Sequence, residues 1–220
     1  MEWARKMSDD RQTHWENVYL TKADRDVSWY EDTPTLSLQL ITEAGVSRDA
    51  VIVDVGGGAS QLVDHLIAMG QAHVTVLDLS AAALGRARSR LGKNDRVNWV
   101  VSDITKWNPA RRYDVWHDRA AFHFLTEPAD QSAYLEVLRA ALRPGGIVII
   151  GTFAPDGPEK CSGLPVARQD AQSLQTLLGS DFQLLISRRR EHHTPSGSVQ
   201  KFHFGVFRYQ PSEKDRGCKP

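Results

Sequence analysis

An aspartate followed by a run of glycines is the strongest chemical signal in this chain. Residues 54–58 read Asp-Val-Gly-Gly-Gly, directly after an apolar run and before an amphipathic segment. Glycines let the backbone turn tightly and let a ligand approach the amide groups, while the amino end of the next helix adds a partly positive field. The pattern therefore predicts a loop that binds a nucleotide or a cofactor.

Three further aspartates each lie just past the end of a predicted strand, namely Asp78, Asp103 and Asp118. Ligands of open α/β sheets bind in a crevice at the edge where the parallel strands end. A carboxylate at Asp78 can accept hydrogen bonds from both ribose hydroxyls, and one at Asp103 can accept from an exocyclic amine. Each acid alone is more often a loop or capping residue, so the prediction of a nucleoside site depends on their joint placement.

Short apolar runs alternate with amphipathic segments from residue 51 onward, which is typical of βαβ units and a mainly parallel sheet. The predicted strands are 51–55, 73–77, 97–101, 113–116 and 147–152. The predicted helices are 10–20, a segment opened by Thr33 and Pro34, 61–69, a segment capped by Ser80 that ends near Leu91, and 134–142.

The last part of the chain departs from this alternation. Two strand-like runs, 182–188 and 199–209, are joined by the turn-rich segment 194–198 and not by a helix. We therefore predict an α/β fold with a Rossmann-like, seven-stranded, mainly parallel sheet, helices on both faces and a C-terminal antiparallel hairpin. A two-half dinucleotide-binding fold would continue with further βαβ units instead.

Length and charge limit the classes of protein that fit. A chain of 220 residues supports one sizeable core, so we expect a single domain over 1–210 and a flexible tail over 211–220. Lys plus Arg and Asp plus Glu both total 27, and this balance does not favour binding to nucleic acid or to an anionic membrane.

Cysteine usage points to a reducing compartment. The two cysteines, Cys161 and Cys218, have neither the number of a disulfide framework nor the spacing of a metal site. The first residues lack the apolar stretch of a signal peptide, and no apolar run reaches membrane-spanning length. We expect a cytoplasmic protein that binds no metal, membrane or nucleic acid.

The motifs, taken in order, resemble those of the class I S-adenosylmethionine-dependent methyltransferases from about residue 14 to residue 209. Segment 54–58 resembles the acid and glycine motif of that family, 76–80 its ribose-binding acid, 102–104 its adenine contact and 143–146 the turn before its fifth strand. The reversed last strand of the family fits the predicted hairpin. One departure is Ser60, which replaces a glycine of the fullest pattern.

The resemblance implies S-adenosylmethionine as the cofactor and methyl transfer as the reaction. It assigns Asp54, Gly56 and Gly58 to the methionine end of the cofactor, Asp78 to the ribose, Asp103 and Ile104 to the adenine, and Asp118 to the wall nearest the methyl group, with Leu79 as a further cofactor-binding residue. Because the sulfonium is an activated methyl donor, such a protein mainly aligns the acceptor with the methyl group and excludes water.

Residues 10–45 are predicted to form an N-terminal helical lid. Segments 14–19 and 27–30 resemble the lid of a subgroup that includes small bacterial methyltransferases and some protein-lysine methyltransferases. Segment 116–123 resembles the segment after the fourth strand in the same subgroup, but only loosely in its lysine-modifying branch. The aromatic candidates for covering the cofactor are Trp15, Tyr19, Trp29 and Tyr30. Aromatic faces stabilise cations, although packing within the N-terminal helices is an alternative role for these side chains.

An amine or hydroxyl acceptor also needs a group that takes its proton. Asp118 is the expected catalytic residue, with His117 and His123 as neighbouring candidates, and strand alternation places His117 and Asp118 on opposite sides. The Pro- and Gly-rich segment 154–165 either shapes the acceptor pocket or merely connects two elements. The acceptor stays open between a small molecule and a protein lysine.

Two other functions share the glycine loop and the later acids. An NAD(P)-dependent oxidoreductase requires a glycine at the sixth position of G-x-G-x-x-G, where this chain has Gln61. A noncatalytic S-adenosylmethionine-binding domain would keep the same crevice and transfer nothing.

Overall fold

Strands and helices alternate along most of the chain, as the sequence predicts. The structure, a computed structural model, describes residues 2–211, with side chains from Asp10 onward. The helices are α1 (Glu2–Thr21), α2 (Thr35–Glu43), α3 (Leu62–Ala68), α4 (Ala81–Leu91), α5 (Pro128–Ala141) and α6 (Ala171–Leu178). The strands are β1 (Val51–Val55), β2 (His73–Asp78), β3 (Val97–Val101), β4 (Tyr113–Arg119), β5 (Leu142–Phe153), β6 (Lys160–Cys161), β7 (Leu164–Pro165), β8 (Phe182–His193) and β9 (Val199–Tyr209).

Seven of these strands form one sheet in the order β3-β2-β1-β4-β5-β9-β8, while β6 and β7 pair separately. The first five strands of this sheet are parallel, and β9 and β8 add to its edge as an antiparallel hairpin. The chain runs outward from β1 to β3 and then returns to β4 on the other side of β1. The strand order therefore reverses between β1 and β4, and a crevice forms beyond the carboxyl ends of these two strands.

Alternate residues of the strands feed two hydrophobic clusters on opposite faces of the sheet. One cluster joins Val53 and Trp116 to the buried sides of α5 and α6. The other joins Ile52 and Val115 to the buried sides of α2 and α3. Full burial of one such aliphatic side chain contributes roughly 1.5–3 kcal/mol. The predicted fold, with helices on both faces and a C-terminal hairpin, is confirmed.

Several element boundaries differ from the prediction. Helix α5 begins at Pro128, before the predicted start at residue 134. Pro suits the first helical position, but the first turn is polar and exposed, so apolar periodicity does not reveal it. Strand β4 continues to Arg119, beyond the predicted end at residue 116. Helix α6 was not predicted, although Asp170 caps it by accepting a hydrogen bond from Ser173 N at 2.8 Å.

The two ends of the chain complete the description. Pro211 is buried, and the remainder of the predicted tail over 211–220 lies outside the described residues. Within residues 2–211, no helix combines the length and the apolar character needed to cross a membrane.

Candidate functional site

The glycine loop after β1 is packed so tightly that side chains would not fit. Gly56 and Gly58 have φ of +67° and +38°, in the left-handed region that favours glycine. A Cβ on Gly56 would lie 2.6 Å from Ala121 Cβ, and one on Gly57 would lie 2.5 Å from Asp54 Oδ2. The loop therefore presents bare backbone to the crevice, as its sequence predicts.

Asp78 lies at the end of β2 with 8% of its surface exposed. Its carboxylate accepts a hydrogen bond from Ser80 N at 2.9 Å and further ones from the backbone of Leu79 and Gly58. Burial, together with the nearby Asp54 carboxylate, raises the pKa of Asp78 to about 7 despite the lowering effect of these hydrogen bonds. The side chain is thus a preorganised acceptor at the rim of the crevice.

Asp103 and Ile104 follow β3 and line the same crevice as Asp78 and Leu79. Asp103 Oδ1 accepts hydrogen bonds from Thr105 N at 2.9 Å and Thr105 Oγ1 at 2.8 Å. Asp103 Oδ2 lies 3.7 Å from a guanidinium nitrogen of Arg11. Arg11 also lines the crevice, and our sequence reasoning missed it because nothing in a helical sequence indicates which distant strand end the helix meets.

The crevice holds roughly 840 Å³ of space free of protein atoms, including the part that is open to solvent. Its wall contains most of the predicted site residues, namely Trp15, Tyr19, Trp29, Gly56, Asp78, Leu79, Asp103 and Ile104. Two other predicted residues lie beside the wall. Asp54 lines a smaller adjoining cavity with Gly57, and Gly58 packs beneath Asp78, where an added Cβ would lie 2.8 Å from Asp78 Oδ2.

Aromatic side chains of the N-terminal segment form one side of the crevice. The ring centroid of Trp15 lies 5.5 Å from that of Trp29 and 4.9 Å from that of Phe124. Trp29 Nε1 donates a hydrogen bond to the Tyr19 hydroxyl at 3.2 Å. Tyr30 does not line this crevice, and its hydroxyl bonds to Asp32 instead. Three of the four aromatic candidates thus meet at the crevice.

Glu16 holds helix α1 against the amino end of α4. Its carboxylate accepts a hydrogen bond from Ser80 Oγ at 2.7 Å and another from Ala82 N at 3.2 Å. A carboxylate at a helix amino terminus is stabilised by the helix dipole and by the unpaired N–H groups there. Sequence reasoning also missed Glu16, although Ser80 was correctly identified as the residue that caps α4.

Behind the glycine loop, hydrogen bonds link three buried polar side chains in a row. His117 Nδ1 lies 2.7 Å from Asp54 Oδ1, and His117 Nε2 lies 2.9 Å from Ser37 Oγ. Each of the three residues is no more than 3% exposed. Both nitrogens of His117 are therefore used to hold Asp54 in place and to connect it to helix α2.

The position of Asp118 corrects the expectation that it forms the wall nearest the methyl group. Its side chain is fully buried on the opposite face of β4 from His117, as strand alternation predicts. Asp118 Oδ1 accepts from Ala121 N at 2.9 Å, and Oδ2 accepts from the Tyr134 hydroxyl at 2.8 Å. Burial raises the pKa of Asp118 to about 6. The carboxylate shapes the turn after β4 from within the core and does not reach the crevice.

His123 is also fully buried and does not line the crevice. Its ring packs on Phe124 and Phe153 with centroid distances of 4.4 Å and 4.9 Å. Burial lowers the pKa of His123 to about 3. Neither this histidine nor His117 is therefore placed to take a proton from a molecule in the crevice.

The end of the crevice beyond β4 and β5 is built by separate segments. Ala120 follows β4 with φ of +68°, an uncommon conformation for a residue with a side chain. Arg119 Nη1 donates to Glu31 Oε2 at 2.9 Å, and Nη2 donates to Trp29 O at 2.8 Å. Segment 154–165 contributes Cys161 to the wall, so it does shape the crevice and is more than a connector.

Comparison with known proteins finds similarity to methyltransferases over part of the chain. Residues 52–146 match the family model described as a methyltransferase domain. Malonyl-[acyl-carrier protein] O-methyltransferase of Halalkalibacterium halodurans is 32% identical over 129 residues, which cover 54% of this chain and 46% of that protein. Trans-aconitate 2-methyltransferase of Azoarcus sp. is 31% identical over 112 residues, which cover 50% and 42%. The chain thus spans less than half the length of these curated relatives.

Solved structures match over nearly the whole chain. The N-methyltransferase NodS from Bradyrhizobium japonicum, in complex with S-adenosyl-L-homocysteine, is 16% identical with a TM-score of 0.69 and covers 91% of this chain and 99% of its own. The 1,6-didemethyltoxoflavin-N1-methyltransferase of Burkholderia thailandensis is 22% identical with a TM-score of 0.68 and covers 96% and 90%. At these identities the likeness establishes a common fold.

Proposed function

We propose that this chain is a class I S-adenosylmethionine-dependent methyltransferase, which transfers the methyl group of S-adenosylmethionine to an acceptor molecule. The observation that carries this proposal is the buried Asp78 carboxylate, which lies between the bare glycine loop and a crevice walled by aromatic side chains.

The residues present fit this cofactor. Asp78 can accept hydrogen bonds from the two ribose hydroxyls, because an ionised carboxylate is purely an acceptor. Asp103 offers an acceptor to the adenine amine, while Leu79 and Ile104 offer apolar contact to the ring. At the other end of the cofactor, the backbone of Gly56 is free of any obstructing Cβ.

Asp54 and Gly58 support the methionine end of the cofactor. Asp54 would accept a hydrogen bond from the amino group of the bound cofactor, and His117 fixes the orientation of its carboxyl group. Gly58 acts through Asp78, since its lack of a side chain lets the carboxylate sit against the loop. In this assignment Asp118 has no contact with the cofactor.

Residues 10–45 act as a lid within a single domain over 1–210 in this proposal. The lid brings Trp15, Tyr19 and Trp29 to the crevice, where they exclude water and offer aromatic faces to a cation. When bound, the cofactor supplies an electrophilic methyl group on a positively charged sulfur. The contribution of the chain is then alignment of the acceptor and exclusion of water.

The two alternative functions make different demands on the same crevice. A dinucleotide site needs a glycine at position 61, where the chain has glutamine. A noncatalytic binder would hold S-adenosylmethionine and form no S-adenosylhomocysteine. We also propose a cytoplasmic location, on the grounds that Cys161 is an unpaired, buried thiol. Cell fractionation that recovers the protein elsewhere would contradict it.

Calorimetric titration with S-adenosylmethionine, S-adenosylhomocysteine and NAD tests the proposal directly. We expect micromolar binding of the two sulfur compounds, loss of that binding in Asp78→Ala and no change in the exposed control Asp49→Ala. Release of S-adenosylhomocysteine with a cell extract as the acceptor source would then separate an enzyme from a noncatalytic binder. Binding of NAD alone, or of none of the three, would overturn the proposal.

A further inference from the structure

The crevice has two chemically different ends, because the order of the sheet separates them. Asp103 follows β3 on one side of the switch point, whereas Phe202 lies on β9, beyond β4 and β5 on the other side. The lining residues at this second end belong to one hydrophobic cluster and are Trp29, Ala120, Phe124, Cys161 and Phe202. With the acidic end assigned to the cofactor, the apolar end is left for the acceptor.

The one cationic side chain on the wall of this apolar end, within the described part of the chain, is already neutralised. Arg119 is 12% exposed on its side chain and pairs with Glu31 at 2.9 Å. Its second guanidinium nitrogen donates to the carbonyl of Trp29 at 2.8 Å. A carboxylate of an acceptor would therefore have to displace Glu31, and an ammonium group would meet an arginine with no free carboxylate beside it.

Among residues 10–211, whose side chains the structure describes, the same end offers no group that could take a proton from the acceptor. Asp118 is bonded inside the core, His117 is bonded to Asp54 and Ser37, and His123 lies outside the lining residues. The Cys161 thiol is 4% exposed, and burial raises its pKa to about 11, so it stays neutral. An acceptor that must lose its proton before methyl transfer finds no base here.

We infer that the acceptor is an uncharged, planar, apolar small molecule whose accepting nitrogen or sulfur atom already carries a free lone pair. This inference rests on the proposed function. Transfer forms a bond from the methyl carbon to the accepting atom and breaks the methyl carbon–sulfur bond, whose electron pair stays on the sulfur of S-adenosylhomocysteine. The positive charge passes to the acceptor, which releases any proton to water after transfer. A protein lysine, which is protonated at neutral pH, does not meet these requirements.

The aromatic side chains Trp29, Phe124 and Phe202 then provide the contacts that hold such a ring. Offset-stacked and edge-to-face arrangements suit flat molecules and add to the gain from burying apolar area. Phe124 is half-buried and belongs to a short turn after β4, so its truncation disturbs the core less than that of Phe202, which is 2% exposed.

The test uses N-phenyl-1-naphthylamine, an uncharged aromatic amine that fluoresces in apolar sites, with S-adenosylhomocysteine at saturation. We expect saturable binding, a Kd raised about tenfold or more in Phe124→Ala and in Phe202→Leu, and an unchanged Kd in the control Leu185→Ala. Leu185 lies on β8, is 37% exposed and is absent from the crevice wall. In parallel, transfer of labelled methyl is compared between two neutral acceptors, aminoquinoline and thioanisole, and two charged ones, a lysine-containing peptide and a dicarboxylic acid, and we expect the label on the neutral acceptors.

Lack of saturable probe binding, equal weakening in the control variant, or label on the peptide or diacid in preference to the neutral compounds would overturn the inference. These outcomes differ from failure of the proposed function, in which S-adenosylhomocysteine itself does not bind.

Discussion

Replacing Asp78 by asparagine should stabilise the cofactor-free protein at alkaline pH while abolishing cofactor binding. Asparagine has nearly the shape of a protonated aspartate but cannot ionise. The Asp78 side chain is buried, and burial raises its pKa from 3.8 to about 7. Folding therefore favours the neutral acid, and the ionised form carries a free-energy cost that the substitution removes.

The size and sign of the effect follow from linkage between ionisation and folding. Because the folded-state pKa is raised, the stability contributed by the neutral acid is fully present below pH 3.8 and is lost as pH rises through about 7. The shift corresponds to a cost of at most about 4 kcal/mol above pH 7, reached at up to about 1.4 kcal/mol per pH unit. Asp78→Asn should thus match the parent near pH 4 and exceed its stability by about 2–4 kcal/mol near pH 8.

Urea unfolding of both proteins without ligand, at several pH values between about 4 and about 8, measures this difference. Asp49→Asn, at an exposed position, serves as the matched control and should track the parent at every pH. A constant difference between Asp78→Asn and the parent across the pH range, or a less stable variant at pH 8, would refute the reasoning about Asp78.

Other predictions concern the ligand, the glycine loop, the turn after β4 and helix α1. The pH dependence of binding is best measured with 5′-methylthioadenosine, which lacks the ionisable amino group of the full cofactor. Its Kd should rise by up to about tenfold for each pH unit below the Asp78 pKa of about 7, because the ribose hydroxyls need the ionised acceptor. A calorimetric Kd that stays constant from pH 5 to pH 8 would contradict this prediction. Gly58→Ala would place a Cβ 2.8 Å from Asp78 Oδ2 on a residue with φ of +38°, at a strain of about 1–2 kcal/mol. We expect the variant to bind S-adenosylhomocysteine about tenfold or more weakly. An unaltered calorimetric Kd would count against the assigned loop geometry. Tyr134→Phe removes the hydroxyl that donates to Asp118 at 2.8 Å and should lower the free energy of unfolding by about 1–3 kcal/mol. Turnover per folded molecule should change little. A large loss of turnover at unchanged stability would indicate that Asp118 takes part in catalysis. Glu16→Ala should release helix α1 from α4 and speed the cleavage of α1 in limited proteolysis. We expect a loss of about 1 kcal/mol in the binding free energy of S-adenosylmethionine, which is a several-fold rise in Kd. Cleavage at the parent rate would mean that other contacts hold the helix.

The predictable part of the site consists of residues whose position follows from the strand on which they lie. Asp78 ends β2 and Asp103 lies two residues past the end of β3, and parallel strands bring their ends to one edge. Gly56 and Gly58 could be identified because a tight turn into a crevice has few alternatives to glycine. Local patterns of this kind need no knowledge of which helix packs where.

The remainder depends on side chains that meet across long stretches of sequence. Glu16 contacts Ser80, which lies 64 positions later, and Ser37 contacts His117 at a separation of 80 positions. No periodicity in a single sequence records such pairs. The prediction that Asp118 lines the crevice was wrong for a related reason. Strand alternation gives the face of the sheet on which Asp118 lies, but it does not reveal that the Tyr134 hydroxyl donates to the carboxylate on that face.

Helix α1 precedes every one of its docking partners in the chain. Glu16 is bound by Ser80 and Ala82, and Arg11 pairs with Asp130 at a separation of 119 positions. Most of the stability of a helix in a protein comes from tertiary packing and not from its own propensity. We therefore expect that α1 gains its native position only after α4 and α5 have been synthesised, so that a helix made before its partners docks after them.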